Sequence, residues 1–126
     1  MEKPTTQSQL WDVSQLNSKE IYNLVLAQLK KDLRDSGFTY GFGEDDRHLN
    51  YQQLCEELCA IMGAEEQIST ARVGNLLYRV DVADHQLKKA IQEQEEDKGI
   101  YHTMAELIIK RELQKVVLRK LYSVNQ

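Results

Sequence analysis

The sequence predicts an all-α protein, a single-domain bundle of about four helices, and three observations carry that prediction. The one proline, Pro4, precedes everything else of interest, so nothing after it forbids a helix. Helix-capping grammar recurs along the chain, in Leu16-Asn17-Ser18-Lys19-Glu20-Ile21, in Leu49-Asn50-Tyr51-Gln52-Gln53-Leu54 and in Thr103-Met104-Ala105-Glu106. Gly37, Gly63 and Gly99 stand where helices should stop on a left-handed residue.

From these ends we place helices near residues 17–36, 50–62, 67–98 and 103–123. In the first, Asn17 is the expected cap, with Glu20 reaching back and Leu16 stapling onto Ile21. Its apolar stripe is Ile21, Tyr22, Val25, Leu26, Leu29 and Leu33, opposite Asn23, Lys30, Lys31 and Arg34. The second helix is capped by Asn50 and gathers Tyr51, Leu54, Cys55, Leu58, Ile61 and Met62 on one face. The repeated cap pattern is shared chemistry rather than a tandem repeat, because no third copy follows at the same offset.

The third stripe, Val73, Leu76, Leu77, Val80, Ala83, Leu87, Ala90 and Ile91, alternates three- and four-residue steps. That spacing favours one continuous rod, with Val80-Asp81-Val82-Ala83-Asp84 the place where a break would fall. The last helix is apolar on two opposite sides. Ala105, Ile109, Leu113, Val116 and Val117 lie on one, and Met104, Leu107, Ile108, Leu118, Leu121 and Tyr122 on the other, so this helix needs two partners.

At 126 residues the chain fits one domain spanning 1–126, with residues 1–9 expected to be loose. Apolar residues are 41% and charged residues 29%, a globular composition. A formal net charge of −4 offers no global attraction for phosphate backbones. No apolar run approaches the ~20 residues of a membrane span, and Met1-Glu2-Lys3-Pro4-Thr5-Thr6 leads into no apolar signal core, so a cytoplasmic location and no membrane partner are expected. The two cysteines, Cys55 and Cys59, are one helical turn apart and suit a reducing compartment as core thiols.

Candidate chemistry is sparse. Cys55 and Cys59 with His48, His85 or His102 supply zinc-ligand types, but structural zinc cysteines are usually held close by a turn rather than set along a helix. Di-metal bundles use Glu-x-x-His at three-residue spacing, which is absent here. No local signature of nucleophilic catalysis appears, so no catalytic residue, metal ligand or cofactor site is assigned. The connection 37–48 is long and rich in glycine and aromatics; Phe38, Tyr40 and Phe42 are expected to alternate inward and lid one end of the bundle. Its glycines lack phosphate-cradle spacing, and Glu44, Asp45 and Asp46 would repel phosphate. Near the N-terminus, Leu10, Trp11, Val13 and Leu16 are expected to pin an arm onto the core. Glu93, Glu95, Glu96 and Asp97 form an acidic patch at the end of the third helix.

The function this supports is a small non-enzymatic protein–protein interaction module that self-associates as a dimer. Its candidate surface is Met104, Leu107, Ile108, Arg111, Lys115, Leu118, Arg119, Leu121 and Tyr122. One alternative is a nucleic-acid-binding regulator using the basic stripe Arg111, Lys115 and Arg119, flanked by Lys110 and Lys120. Another is an enzyme or metal protein whose site is dispersed in sequence.

Overall fold

A short 3-10 helix, Val13–Asn17, leads into five α-helices: α1 Lys19–Asp35, α2 Tyr51–Ala64, α3 Thr70–Val80, α4 Asp84–Glu93 and α5 Ile100–Val124. The computed structural model describes residues 12–38, 41–43, 47–64, 70–93 and 99–124. No strand occurs among the described residues, so the all-α class holds, with one α-helix more than expected. Leu10, Trp11, Tyr40, Glu44, Asp45, Asp46, Glu95, Glu96 and Asp97, together with 1–9, lie outside the described residues.

The entry to α1 differs from the expected cap. Asp12 caps the 3-10 helix, accepting from the Ser14 amide at 2.7 Å while its own amide donates to Gln15 Oε1 at 2.8 Å. That early turn absorbs Asn17 as its last residue and passes the cap of α1 to Ser18, whose hydroxyl accepts from the Ile21 amide at 3.3 Å. Asn50 is the cap foreseen for α2: its side chain accepts from Gln53 N at 2.8 Å and its amide donates to Gln53 Oε1 at 3.0 Å. Asn50→Ala should therefore cost about 0.5–2 kcal/mol, whereas Asn17→Ala should leave the melting midpoint nearly unchanged, a contrast that paired thermal melts resolve.

α1 ends in a Schellman motif centred on Gly37, with φ +97°. Gly37 N donates to Arg34 O and Phe38 N to Leu33 O, both at 3.1 Å, and Phe38 and Leu33 are both buried. The same motif ends α3, and here it corrects the expected continuous rod. Asp81 N donates to Tyr78 O and Val82 N to Leu77 O, both at 3.1 Å, while Asp81 itself takes φ +70°. A left-handed aspartate is tolerated better than most residues because its short polar side chain finds local or nearby partners. Here the partner is Arg111 of α5, 3.1 Å from the Asp81 carboxylate. The apolar stripe continued across the break because α3 and α4 both pack on α5.

Two further ends move. Gly63 lies inside α2 rather than beyond it, and α5 begins at Ile100, directly after Gly99 with φ +82°. Thr103 is therefore no cap: it is buried in the first turn, and its hydroxyl donates back to Gly99 O at 3.2 Å.

α5 is the centre of the bundle, in contact with the 3-10 helix, α1, α2, α3 and α4. Beyond Thr103 in the first turn, Ala105, Ile108, Ile109, Glu112, Leu113, Val116 and Val117 are buried in it, and at 100° per residue these seven occupy about half of its circumference. The core around them comes from Val25, Leu29 and Leu33 of α1, Leu54, Leu58 and Met62 of α2, and Val73, Leu76 and Val80 of α3. α4 is different. It buries none of its side chains and leaves Leu87, Ala90 and Ile91 only half covered.

Candidate interaction surface and a buried acid pair

The nine residues expected to form one surface on the last helix do not share one environment. Ile108 is fully buried in the core, beside the main apolar face rather than opposite it. Met104, Leu107 and Leu118 are half-buried, which accounts for most of the second apolar side through neighbours in the same chain. Arg119, Leu121 and Tyr122, at the C-terminal end of α5, remain exposed.

The basic stripe is largely neutralised within the chain. Arg111 pairs with Asp81 across to the α3 terminus and also donates to Gln114 Oε1 at 2.9 Å. Lys115 Nζ lies 3.1 Å from Glu112 Oε1, and the Lys120 ammonium is hydrogen-bonded to the Glu20 carboxylate of α1. Lys110 stands 6.0 Å from the centre of the Tyr51 ring. A phosphate backbone is best held by a run of cations without acidic partners, and this arrangement removes most of that run.

The other sequence candidates separate as well. Cys55 is buried in the core and Cys59 half-buried, both as thiols outside any disulfide. Burial pushes the Cys59 thiol above its ordinary range, the opposite of what an activated nucleophile needs. Among the described residues no three His, Cys, Asp or Glu side chains gather as metal ligands would. His85 is exposed on α4. His102 Nδ1 is 3.7 Å from Glu106 Oε1, one turn along the same helix. His48 stacks on Tyr22 with ring centroids 4.1 Å apart and donates from Nε2 to the Leu16 carbonyl at 2.7 Å. The Tyr22 hydroxyl in turn accepts from Leu49 N at 3.2 Å and donates to Arg47 O at 3.4 Å. These contacts tie the end of the 37–48 connection to the 3-10 helix and α1. Phe38 is buried and Phe42 half-buried against the core, as a lid requires, while Tyr40 lies outside the described residues.

Three features escaped the sequence reading. The first is a shallow apolar cleft of about 230 Å³ lined by Val73, Gly74 and Leu77 of α3 and by Ile100, Tyr101 and Met104 of α5. Tyr78, one turn beyond Gly74, is 86% exposed. The second is the Tyr22–His48 clamp. The third is an acid pair at the seam of α1 and α5. Asp32 is 5% exposed and Glu112 fully buried, and three of their four carboxyl oxygens, Asp32 Oδ2 and both of Glu112, are buried without a hydrogen-bond partner; the proximity of Asp32 is one of the causes that push the Glu112 carboxyl up. Gln28 Nε2 donates to Asp32 Oδ1 at 3.1 Å. The signal that could have found them is their spacing: Asp32 stands three residues after Leu29 and seven after Val25, and Glu112 stands four after Ile108 and three after Ile109, so each acid lies on the apolar stripe of its own helix.

Comparison with known proteins gives no relative. No family model, curated protein or solved structure matches the chain. No helix among the described residues is long and apolar enough to cross a membrane.

Proposed function

We propose that this chain is a non-enzymatic protein–protein interaction module of the reducing cytoplasm that self-associates through the joined ends of α1 and α5. The observation that supports this reading is the apolar surface there: Leu121 is 41% exposed, Tyr122 63%, and Leu24 of α1 43%. Leu24 stands one turn after Glu20, whose carboxylate meets Lys120, so these three apolar side chains belong to the same end of the α1–α5 pair. Monomers seldom leave a contiguous apolar patch in water, and a two-fold dimer covers one patch with its own copy.

Charge complementarity favours a second copy as the occupant. Lys19 and Glu20 at the start of α1 and Arg119 and Lys120 near the end of α5 place both signs around the patch. A two-fold arrangement can set Glu20 of one copy against Arg119 of the other. The like-charge clash that a bare stripe of Arg111, Lys115 and Arg119 would create is also relieved, since Arg111 and Lys115 already have acidic partners.

The test is mass in solution at tens of micromolar, with helicity measured alongside. Wild type is expected to be dimeric, and Leu121→Glu to be monomeric with unchanged helical content. A monomeric wild type would overturn the proposal. A variant that stays dimeric would move the interface away from this end, to the cleft between α3 and α5.

A further inference from the structure

We propose that Asp32 and Glu112 together hold one proton at neutral pH, and that losing it loosens the seam between α1 and α5.

The argument begins with counting charges in a place water does not reach. Asp32 and Glu112 bring two carboxyl groups, each at least nine-tenths buried, and Lys115 brings one ammonium. With both acids ionised, Asp32 Oδ2 and both Glu112 oxygens have no hydrogen-bond donor in good geometry. Lys115 Nζ is within ion-pair distance of Oε1 but at an angle that leaves that oxygen short of a full hydrogen bond. A single proton between the two carboxyl groups supplies the missing donor and lowers the buried charge from two negatives to one, which Lys115 then balances. Two carboxylates sharing a site out of water cannot both ionise cheaply.

Among the described residues, the other charged groups of the surrounding elements are directed elsewhere. On α1, Gln28 donates to Asp32, and Asp35 turns outward to Lys31 and Arg79. Of the buried residues of α2 only Cys55 titrates, and it lies against Tyr51. From α3, Arg79 is drawn to Asp35 and Arg72 lies alongside Gly37. Arg111 of α5 is directed to Asp81. α4 buries no side chain, and the one buried residue of the 3-10 helix is Leu16. Burial first, and the neighbouring Asp32 second, raise the Glu112 carboxyl from 4.5 to about 8, against the opposing pull of Lys115.

The sign of the linkage follows. Between pH 4.5 and about 8 the folded chain carries a proton that the unfolded chain has lost. The contribution of this proton to stability is therefore greatest below that window, falls as pH rises through it and levels off above it, changing the folding constant about tenfold per pH unit. The loss acts where Asp32 and Glu112 face each other, so the amides of α1 and α5 around them should become the more exchangeable ones.

Two measurements test this. Carbon-detected NMR titration of the Glu112 side-chain carboxyl in wild type is expected to give a midpoint well above the ordinary carboxylate range, near 8. Denaturant unfolding from pH 5 to 9 is expected to show wild type losing stability relative to Glu112→Gln, which keeps the shape and cannot ionise. Taking the difference between the two proteins cancels the groups remote from this pair. A Glu112 midpoint near 4.5, or a wild-type-minus-variant difference that stays constant across this range, overturns the proposal. If Glu112→Gln fails to fold, the wild-type titration decides alone.

Discussion

Ile108→Glu is expected to leave the chain without a cooperative fold at neutral pH, a loss of more than about 4 kcal/mol. Ile108 is fully buried beside Glu112, so the new carboxylate would bring a third acid to a region where, among the described residues, Lys115 is the cation paired with Glu112. On the sequence alone this substitution looks like a surface change that would disrupt only self-association. The structure turns it into a core change, and Leu121→Glu becomes the surface probe. Loss of the near-ultraviolet circular dichroism signal and of a sigmoidal melt is the expected observation. A variant that melts cooperatively within about 1 kcal/mol of wild type would mean that Ile108 faces water and that α5 is wrongly placed.

Leu113→Ala should be the most costly truncation to alanine on α5, lowering stability by about 2–5 kcal/mol. Leu113 is fully buried near the middle of the helix that every other helix touches. Removing its branched end leaves a cavity that the surrounding core closes only in part, because rigid packed helices relax incompletely. The same change at Leu121 should fall within about 0.5 kcal/mol, since that side chain is already partly in water. Denaturant midpoints for the two variants, read with unchanged slopes, check the contrast. Equal costs would place the centre of the core elsewhere.

These expectations rest on different levels of organisation. The cap at Asn50 and the left-handed stop at Gly37 were legible from residue order, because each is a local arrangement of a few adjacent residues satisfying the helix's own backbone groups. So were the apolar stripes of α1 and α2, where one face meets a core and the other meets water. The displacement of the α1 cap from Asn17 to Ser18 was less accessible, since both residues cap well and the choice depended on the 3-10 helix that Asp12 starts just upstream.

What residue order by itself determined is the all-α class, the main core faces and the sites of several helix ends, because periodicity and capping act within a few residues. The tertiary structure decided the rest. Asp81 breaks the long rod because a left-handed residue there lets α3 and α4 pack separately on α5, held by Arg111 from the far side of the sequence. α5 carries two apolar sides because it is the hub of the bundle, so Ile108 serves the core while Leu121 and Tyr122 at the end of the helix stay exposed. The neighbour of Glu112 was hidden for the same reason: its place on the apolar stripe is a matter of residue order, but whether a carboxyl group there meets water or another carboxyl depends on what packs across from it, and only the approach of α1 brought Asp32 to that place.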